Sequence, residues 1–170
     1  LPGDDGASSV AVTKLSSLSR EGNEIENILG EQQYGHVQIA PAGNAIAVTI
    51  YQRDGTSDIW VYDLARKTLG RRTFEGKASR SIWSDDGEYL IYSYGTEGLR
   101  SVAANGTEPP VTIINTSGTA KPTSATASGD IIFDTGTPPK IYRLASDREA
   151  NAETISDELE LSPSYNGNPL

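Results

Sequence analysis

The sequence contains no cysteine and no methionine, and it has a single histidine, His36, in 170 residues. Without cysteine there is no disulfide, no thiolate metal site and no thiol nucleophile. One imidazole excludes a zinc site built from several histidines and leaves few ways to place a general base beside a nucleophile. The motifs of serine hydrolases, phosphate-binding loops and zinc proteases are also missing. We therefore expect no catalysis, no metal and no cofactor in this chain.

Basic residues are few as well, with 14 Lys and Arg against 23 Asp and Glu, which gives a net charge of −9. An acidic protein of this kind repels the phosphate backbone of nucleic acids and anionic lipid headgroups, so we expect no nucleic-acid partner. No apolar run approaches the roughly 18 residues that a membrane-spanning helix needs, so no membrane span is expected in this segment. Because the chain begins at Leu1, we expect it to be a fragment of a longer protein.

What the sequence does contain is turn residues, 17 glycines and 9 prolines, arranged in a repeat. Four short turns end in a glycine just before an apolar run, and these glycines are 44, 42 and 38 residues apart: Gly43, Gly87, Gly129 and Gly167. A repeat of about 40 residues made of short β-type runs is typical of a β-propeller, whose blades are four-stranded antiparallel sheets. The fold class predicted is therefore all-β.

The other strands of each unit follow the same register. A third strand is centred on Trp60, Arg100 and Tyr142 in turn, and each is followed by a polar turn and a fourth strand. The first unit carries an insertion at residues 52–57, in the loop between strands two and three. This predicts a partial propeller over residues 19–170 with complete blades near 37–74, 81–114 and 122–155.

The two ends of the chain fit incomplete blades, near residues 10–29 and 161–170, and residues 1–18 are poorly defined by the pattern. A partial ring leaves blade faces and strand edges uncovered. We therefore expect exposed apolar side chains around Ile25, Ile28 and Leu161. We also expect these edges to be completed by the remaining propeller blades, by another copy of the chain or by a protein partner.

Three phrases of the repeat are characteristic: the turn Ala40–Gly43, the phrase Asp58-Ile59-Trp60-Val61-Tyr62-Asp63-Leu64, and Trp83-Ser84-Asp85-Asp86-Gly87 in the next unit. In these phrases, residues 39–73 resemble a blade of the TolB-type propeller family. The third unit departs from it, with Lys140 at the place of Asp58, so its blade is expected to be looser. Within that family, the phrase from Thr56 to Arg66 is most similar to propellers attached to bacterial sensor kinases or DNA-binding regulators. This resemblance implies a periplasmic or extracytoplasmic module.

Candidate binding residues lie in the loops that enter the innermost strands, since these loops border the central channel where propellers usually bind ligands. Tyr34, His36, Arg80 and Lys121 occupy these positions. Together they predict a small cationic rim at the channel mouth, suited to a carboxylate, an acidic peptide or a partner's loop. The alternative interpretation is that the charges are solvated loop residues and that His36 makes a local hydrogen bond.

Other patterns are interpreted as structural. Asp54 to Asp58 resembles a calcium loop but lacks the glutamate at loop position twelve, so Asp58 is expected to accept hydrogen bonds from an adjacent turn. Asp85 and Asp86 are turn residues rather than an acid–base pair. Large flat side chains at matching places in the strands are expected to pack one blade against the next: Trp60, Tyr62, Trp83, Tyr89, Tyr92 and Tyr142.

Three functions remain open from the sequence. The leading hypothesis is a non-catalytic protein-interaction or sensor module that binds a protein or peptide partner. The alternatives are the propeller domain of a larger hydrolase of the prolyl-oligopeptidase type, and a structural subunit that assembles through open blade edges. Catalytic residues in flanking sequence would favour the hydrolase.

Overall fold

The computed structural model describes residues 12–146 and the short strand at 153–154. All regular structure in this part of the chain is β-strand, with no helix, and therefore no helix that could span a membrane. The strands are β1 Thr13–Leu18, β2 Glu24–Ile39, β3 Ala45–Tyr51, β4 Ser57–Asp63, β5 Thr68–Arg71, β6 Ala78–Trp83, β7 Tyr89–Tyr94, β8 Gly98–Ala103, β9 Val111–Asn115, β10 Lys121–Ala125, β11 Ile131–Thr135, β12 Lys140–Leu144 and β13 Glu153–Thr154.

These strands form three antiparallel sheets in which sequence neighbours pair in order. The first blade consists of the second half of β2 followed by β3, β4 and β5, the second of β6 to β9, and the third of β10 to β13. The loop between β3 and β4 covers residues 52–56 and is longer than the loop at 95–97 in the second blade. The third strands predicted around Trp60, Arg100 and Tyr142 coincide with β4, β8 and β12.

The turns that define the repeat share one hydrogen-bonding pattern. In each blade the glycine N–H donates to the carbonyl three residues earlier at 2.8–2.9 Å, and the glycine has a positive φ of 69°, 73° or 86°: Gly43, Gly87 and Gly129. A side chain is strained in this left-handed region, which explains why glycine recurs there. The third turn closes one residue earlier, with the Thr126 N–H donating to the Asp130 carbonyl.

Apolar side chains join each blade to the next. One buried cluster lies between the first two blades and includes Ala47, Ile59, Trp83 and Tyr92. A second cluster lies between the second and third blades and includes Ile91 and Phe133, and the Phe133 ring stacks on Tyr142 at 5.4 Å between centroids. The expectation that aromatic residues pack blade against blade is confirmed for Trp83, Tyr92 and Tyr142.

The N-terminal part of the chain differs from the half-blade expected there. The predicted strand Ile25–Leu29 exists, but it is the first half of the 16-residue strand β2 and continues without a break into the innermost strand of the first blade. It pairs with β1, which begins at Thr13, to form a hairpin. Glycine at positions 30 and 35 and a bulge between Tyr34 and Val37 let β2 change partner from β1 to β3.

This hairpin lies over the free face of the first blade. Leu29, with Leu15 and Ile28, shares a cluster with Val48 and Tyr62. The Lys67 ammonium, in the turn before β5, contacts the Glu26 carboxylate at 2.6 Å. The expected exposure at Ile28 is therefore wrong, because the hairpin folds back onto its own blade; Ile25 does remain 68% exposed. Leu161 and the predicted incomplete blade at 161–170 lie outside the described residues.

Candidate functional site

Three of the four predicted binding residues line one cavity. His36 of β2, Arg80 of β6 and Lys121 of β10 come from the innermost strands of three successive blades. The cavity measures about 330 Å³. Its remaining lining consists of hydroxyl and aromatic side chains, namely Tyr51, Ser79, Ser93 and Thr119.

Irregularities in the innermost strands place these residues there. Gly35 and His36 together lie opposite a single residue of β3, and Arg80 is the extra residue between Ser79 and Ser81 in β6. Bulges of this kind turn a side chain away from the regular alternation of a strand. Arg80 has a φ of +45°, which is rare for a residue with a side chain and costs conformational free energy.

The charges of the cavity differ from one residue to the next. Burial, and then the positive charge of Arg80, lower the pKa of His36, and a hydrogen bond with the Ser81 backbone only partly offsets these effects. The imidazole is therefore neutral at pH 7. Its Nδ1 atom is buried and has no hydrogen-bond partner in the described part of the chain. Lys121 lies 3.9 Å from the Asp134 carboxylate, whereas Arg80 forms no ion pair within the described part of the chain. At neutral pH the unpaired positive charge of the cavity is therefore that of Arg80, beside the ammonium of Lys121, which has the Asp134 carboxylate at 3.9 Å.

Tyr34, the fourth predicted binding residue, is not among the residues that line this cavity. It packs in the cluster beneath the hairpin, and its hydroxyl donates to the Gly30 carbonyl at 2.8 Å. The bulge at Gly35 and His36 separates the two side chains, since the irregularity falls directly after Tyr34. Tyr51 lies in the cavity instead, and its ring occupies the space that a side chain at position 35 would take.

Sequence reasoning missed Tyr51, Ser79, Ser93 and Thr119. Tyr51 is paired with Gln33 at the end of β3, and this cross-strand register is fixed by the bulge, which the sequence does not reveal. The Ser93 hydroxyl donates to the Ala120 carbonyl and so ties the second blade to the third beside the cavity. The sequence feature that could have indicated the bulge was Gly35, next to His36.

The aspartates that resemble ligand motifs have structural partners. Asp58 is 2% exposed and accepts hydrogen bonds from the Thr73 hydroxyl at 2.8 Å, from the Gly76 N–H at 3.3 Å and from the Arg71 guanidinium. Asp54 accepts from the N–H and hydroxyl of Thr56 in a local turn. Over residues 12–146, no three metal-ligating side chains lie together.

Solved structures similar to this chain are propellers. TolB from Acinetobacter baumannii superimposes with a TM-score of 0.71 over 84% of this chain and 37% of its own length, at 19% identity. A putative TolB from Agrobacterium tumefaciens gives 0.67 over 78% of this chain and 52% of its own, at 15% identity. The fold is that of an open, partial β-propeller. This confirms the fold class predicted from the repeat.

The propeller fold is shared with domains of peptidases. The β-propeller domain of the Trilobed protease from Pyrococcus furiosus, described as having an open velcro topology, gives a TM-score of 0.59 at 14% identity, over 85% of this chain and 49% of that domain. The chain thus spans about half or less of the length of these three structures. No family model and no curated protein matches the sequence.

Proposed function

We propose that this propeller is a non-catalytic protein-interaction or sensor module that binds an acidic segment of a partner protein at the mouth of its channel. The observation that carries the proposal is the cavity lined by His36, Arg80 and Lys121, which come from three successive blades. His36 and Arg80 lie in the bulges of their strands and Lys121 begins the innermost strand of the third blade, so a ligand held in the cavity contacts all three blades at once. Guanidinium and ammonium groups are natural donors to carboxylates.

The backbone at Arg80 supports this function. A positive φ at a residue other than glycine costs about 1–3 kcal/mol, and such residues cluster at functional sites. Here the strained residue is a cation without an ion-pair partner in the described structure. A ligand carboxylate at this position would supply the missing negative charge.

The overall charge of the protein makes such a site selective. The chain carries −9 and repels acidic ligands at most places, so a cationic cavity is a local exception in its electrostatic field. Binding that depends on this field weakens as salt is added, because the Debye length falls to about 8 Å at physiological ionic strength. Salt dependence therefore distinguishes this mode from purely apolar docking.

For the parent protein, we propose a bacterial sensor kinase or DNA-binding regulator that carries the propeller outside the cytoplasm. The support is the resemblance of residues 56–66 to propellers of such proteins, together with the similarity of the fold to TolB. Remaining blades of the parent, or a second copy, would complete the ring. The sequence upstream of Leu1 in the parent tests this directly, since a kinase or winged-helix domain followed by a membrane span is expected there.

The experiment for the binding site is calorimetric titration of the full chain with a hexaglutamate peptide at low and physiological salt. Replacing both Arg80 and Lys121 by Gln is expected to weaken binding at least about tenfold, since each charge-assisted hydrogen bond contributes about 1.5–3 kcal/mol. Arg20→Gln, in the exposed hairpin turn, is the matched control and is expected to leave affinity unchanged. Equal affinity of the double variant and the wild type would overturn the proposal, as would peptide hydrolysis by the wild-type chain.

A further inference from the structure

We propose a second binding site for a monocarboxylate, built around Arg72 in the groove between the first two blades. This groove measures about 490 Å³. It lies at the opposite end of the first blade from the channel mouth, because Ala45, at the start of β3, lines the groove and Tyr51, at its end, lines the channel-mouth cavity. The two sites are therefore independent.

Arg72 is a half-buried cation without a carboxylate partner among the residues that the structure describes. Its Nε–H donates to the Ala104 carbonyl of the second blade, and Nη1 donates to the Arg71 carbonyl at 3.3 Å. Burial lowers the pKa of Arg72, and no neighbouring carboxylate acts to raise it. Within the described residues Nη2 has no acceptor, so one side of the guanidinium fork remains open to a ligand.

A missing side chain makes room for this guanidinium. Gly70 lies in β5 and has no positive φ, so its backbone does not require glycine. A Cβ atom at position 70 would lie 2.5 Å from the Arg72 Nη1 atom. Glycine inside a strand is otherwise unfavourable, and the absence of a side chain at position 70 leaves the Arg72 guanidinium its present place in the groove.

The charges and the walls of the groove define the ligand. Arg66 also lines the groove, but its guanidinium is paired with Asp63 at 2.8 Å. The lining of the groove therefore has one net positive charge, which is that of Arg72. A singly charged carboxylate balances that charge and can accept charge-assisted hydrogen bonds from the guanidinium. Val61 and Trp83 provide apolar wall for a small hydrocarbon body. Two sources of such a ligand are a free small carboxylate and the carboxyl terminus of a partner chain.

The test follows the Arg72 Nε–H signal of the full chain in a ¹H–¹⁵N spectrum, with the signal assigned from Arg72→Lys. Titration with butyrate is expected to shift this signal in a saturable way, and butyramide is expected to leave it unchanged. The peptide acetyl-Ala-Leu-Val with a free carboxyl terminus distinguishes the sources. Binding at least about tenfold tighter than butyrate identifies a chain terminus, and equal binding identifies a free carboxylate.

Two variants distinguish a ligand-binding role of Arg72 from a purely structural role. Gly70→Ala keeps the positive charge but displaces the guanidinium, and we expect it to weaken butyrate binding at least about fivefold while the chain stays folded. Arg20→Gln removes an exposed charge elsewhere and is expected to bind like the wild type. An Arg72 Nε–H signal that does not respond to any carboxylate, or a Gly70→Ala variant that binds as well as the wild type, would overturn the proposal.

Discussion

The indole N–H of Trp83 donates to the backbone carbonyl of Gln38 at 3.2 Å. Trp83 ends β6 of the second blade, and Gln38 lies in β2 of the first, so this hydrogen bond crosses the joint between two blades. The Trp83 side chain is 8% exposed and shares the apolar cluster with Ala40 and Ala47. One side chain therefore supplies both apolar burial and a directional contact at the joint.

Substitutions of Trp83 should separate these two contributions. Trp83→Ala removes both and is expected to lower the free energy of unfolding by about 3–5 kcal/mol. Trp83→Phe keeps an aromatic ring but leaves the Gln38 carbonyl unpaired, for a smaller loss of about 1–2 kcal/mol. Urea unfolding measures both losses, and Trp60 remains as the fluorescent probe. A Trp83→Phe variant as stable as the wild type would show that the hydrogen bond contributes nothing, and equal losses in the two variants would show that the apolar burial does not.

Asp58 and Asp54 make a matched pair of aspartates, one buried and one exposed. Asp58→Asn is expected to destabilise the chain by about 2–3 kcal/mol, because the amide cannot accept from Thr73, Gly76 and Arg71 at once. Asp54→Asn disturbs only a surface turn and is expected to cost within about 0.5 kcal/mol. Thermal unfolding with and without calcium checks both. A large stabilisation by calcium that Asp54→Asn removes would contradict the structural interpretation.

The hairpin offers a second matched pair, Leu29 and Leu18. Leu29 is 9% exposed against the first blade, whereas Leu18 is 61% exposed on the same hairpin. Leu29→Ala is expected to lower the unfolding free energy by about 2–4 kcal/mol, since it opens a cavity in the cluster with Val48. Leu18→Ala is expected to change it by no more than about 0.5 kcal/mol. Similar losses in both variants would mean that the hairpin does not cover the blade in solution.

Most of the fold could be predicted from the repeat in the sequence. The features that were not predicted arise from local irregularities in the strands. Turn glycines and alternating apolar residues recur in every blade, so periodicity alone located the strands. The bulge beside His36 does not repeat with the same residues, and it sent Tyr34 beneath the hairpin and brought Tyr51 to the cavity. The position of the hairpin could not be predicted either. A fourth strand that leads into the next blade and a hairpin strand that packs back on that blade have the same pattern of residues.

His36 should make the channel mouth sensitive to pH. Its lowered pKa means that the folded protein favours the neutral imidazole, so its contribution to stability is complete above the ordinary histidine pKa of about 6.5. That contribution is lost as the pH falls through the lowered value. Once the pH falls below that lowered value, the new imidazolium adds a third positive charge beside Arg80 and Lys121, while glutamates of an acidic ligand stay ionised down to about pH 5.

We therefore expect acidification from pH 7.5 to 5.5 to lower the melting temperature of the free chain, and we expect hexaglutamate binding to strengthen once the pH falls below the lowered pKa of His36. Because His36 is the only histidine in the chain, His36→Gln is a clean control and should flatten both pH profiles between these values. The measurements are thermal unfolding and calorimetric titration at several pH values in one ionic strength. If His36→Gln keeps the wild-type slope in either profile, another group titrates there, and the imidazole is not the source of the pH dependence.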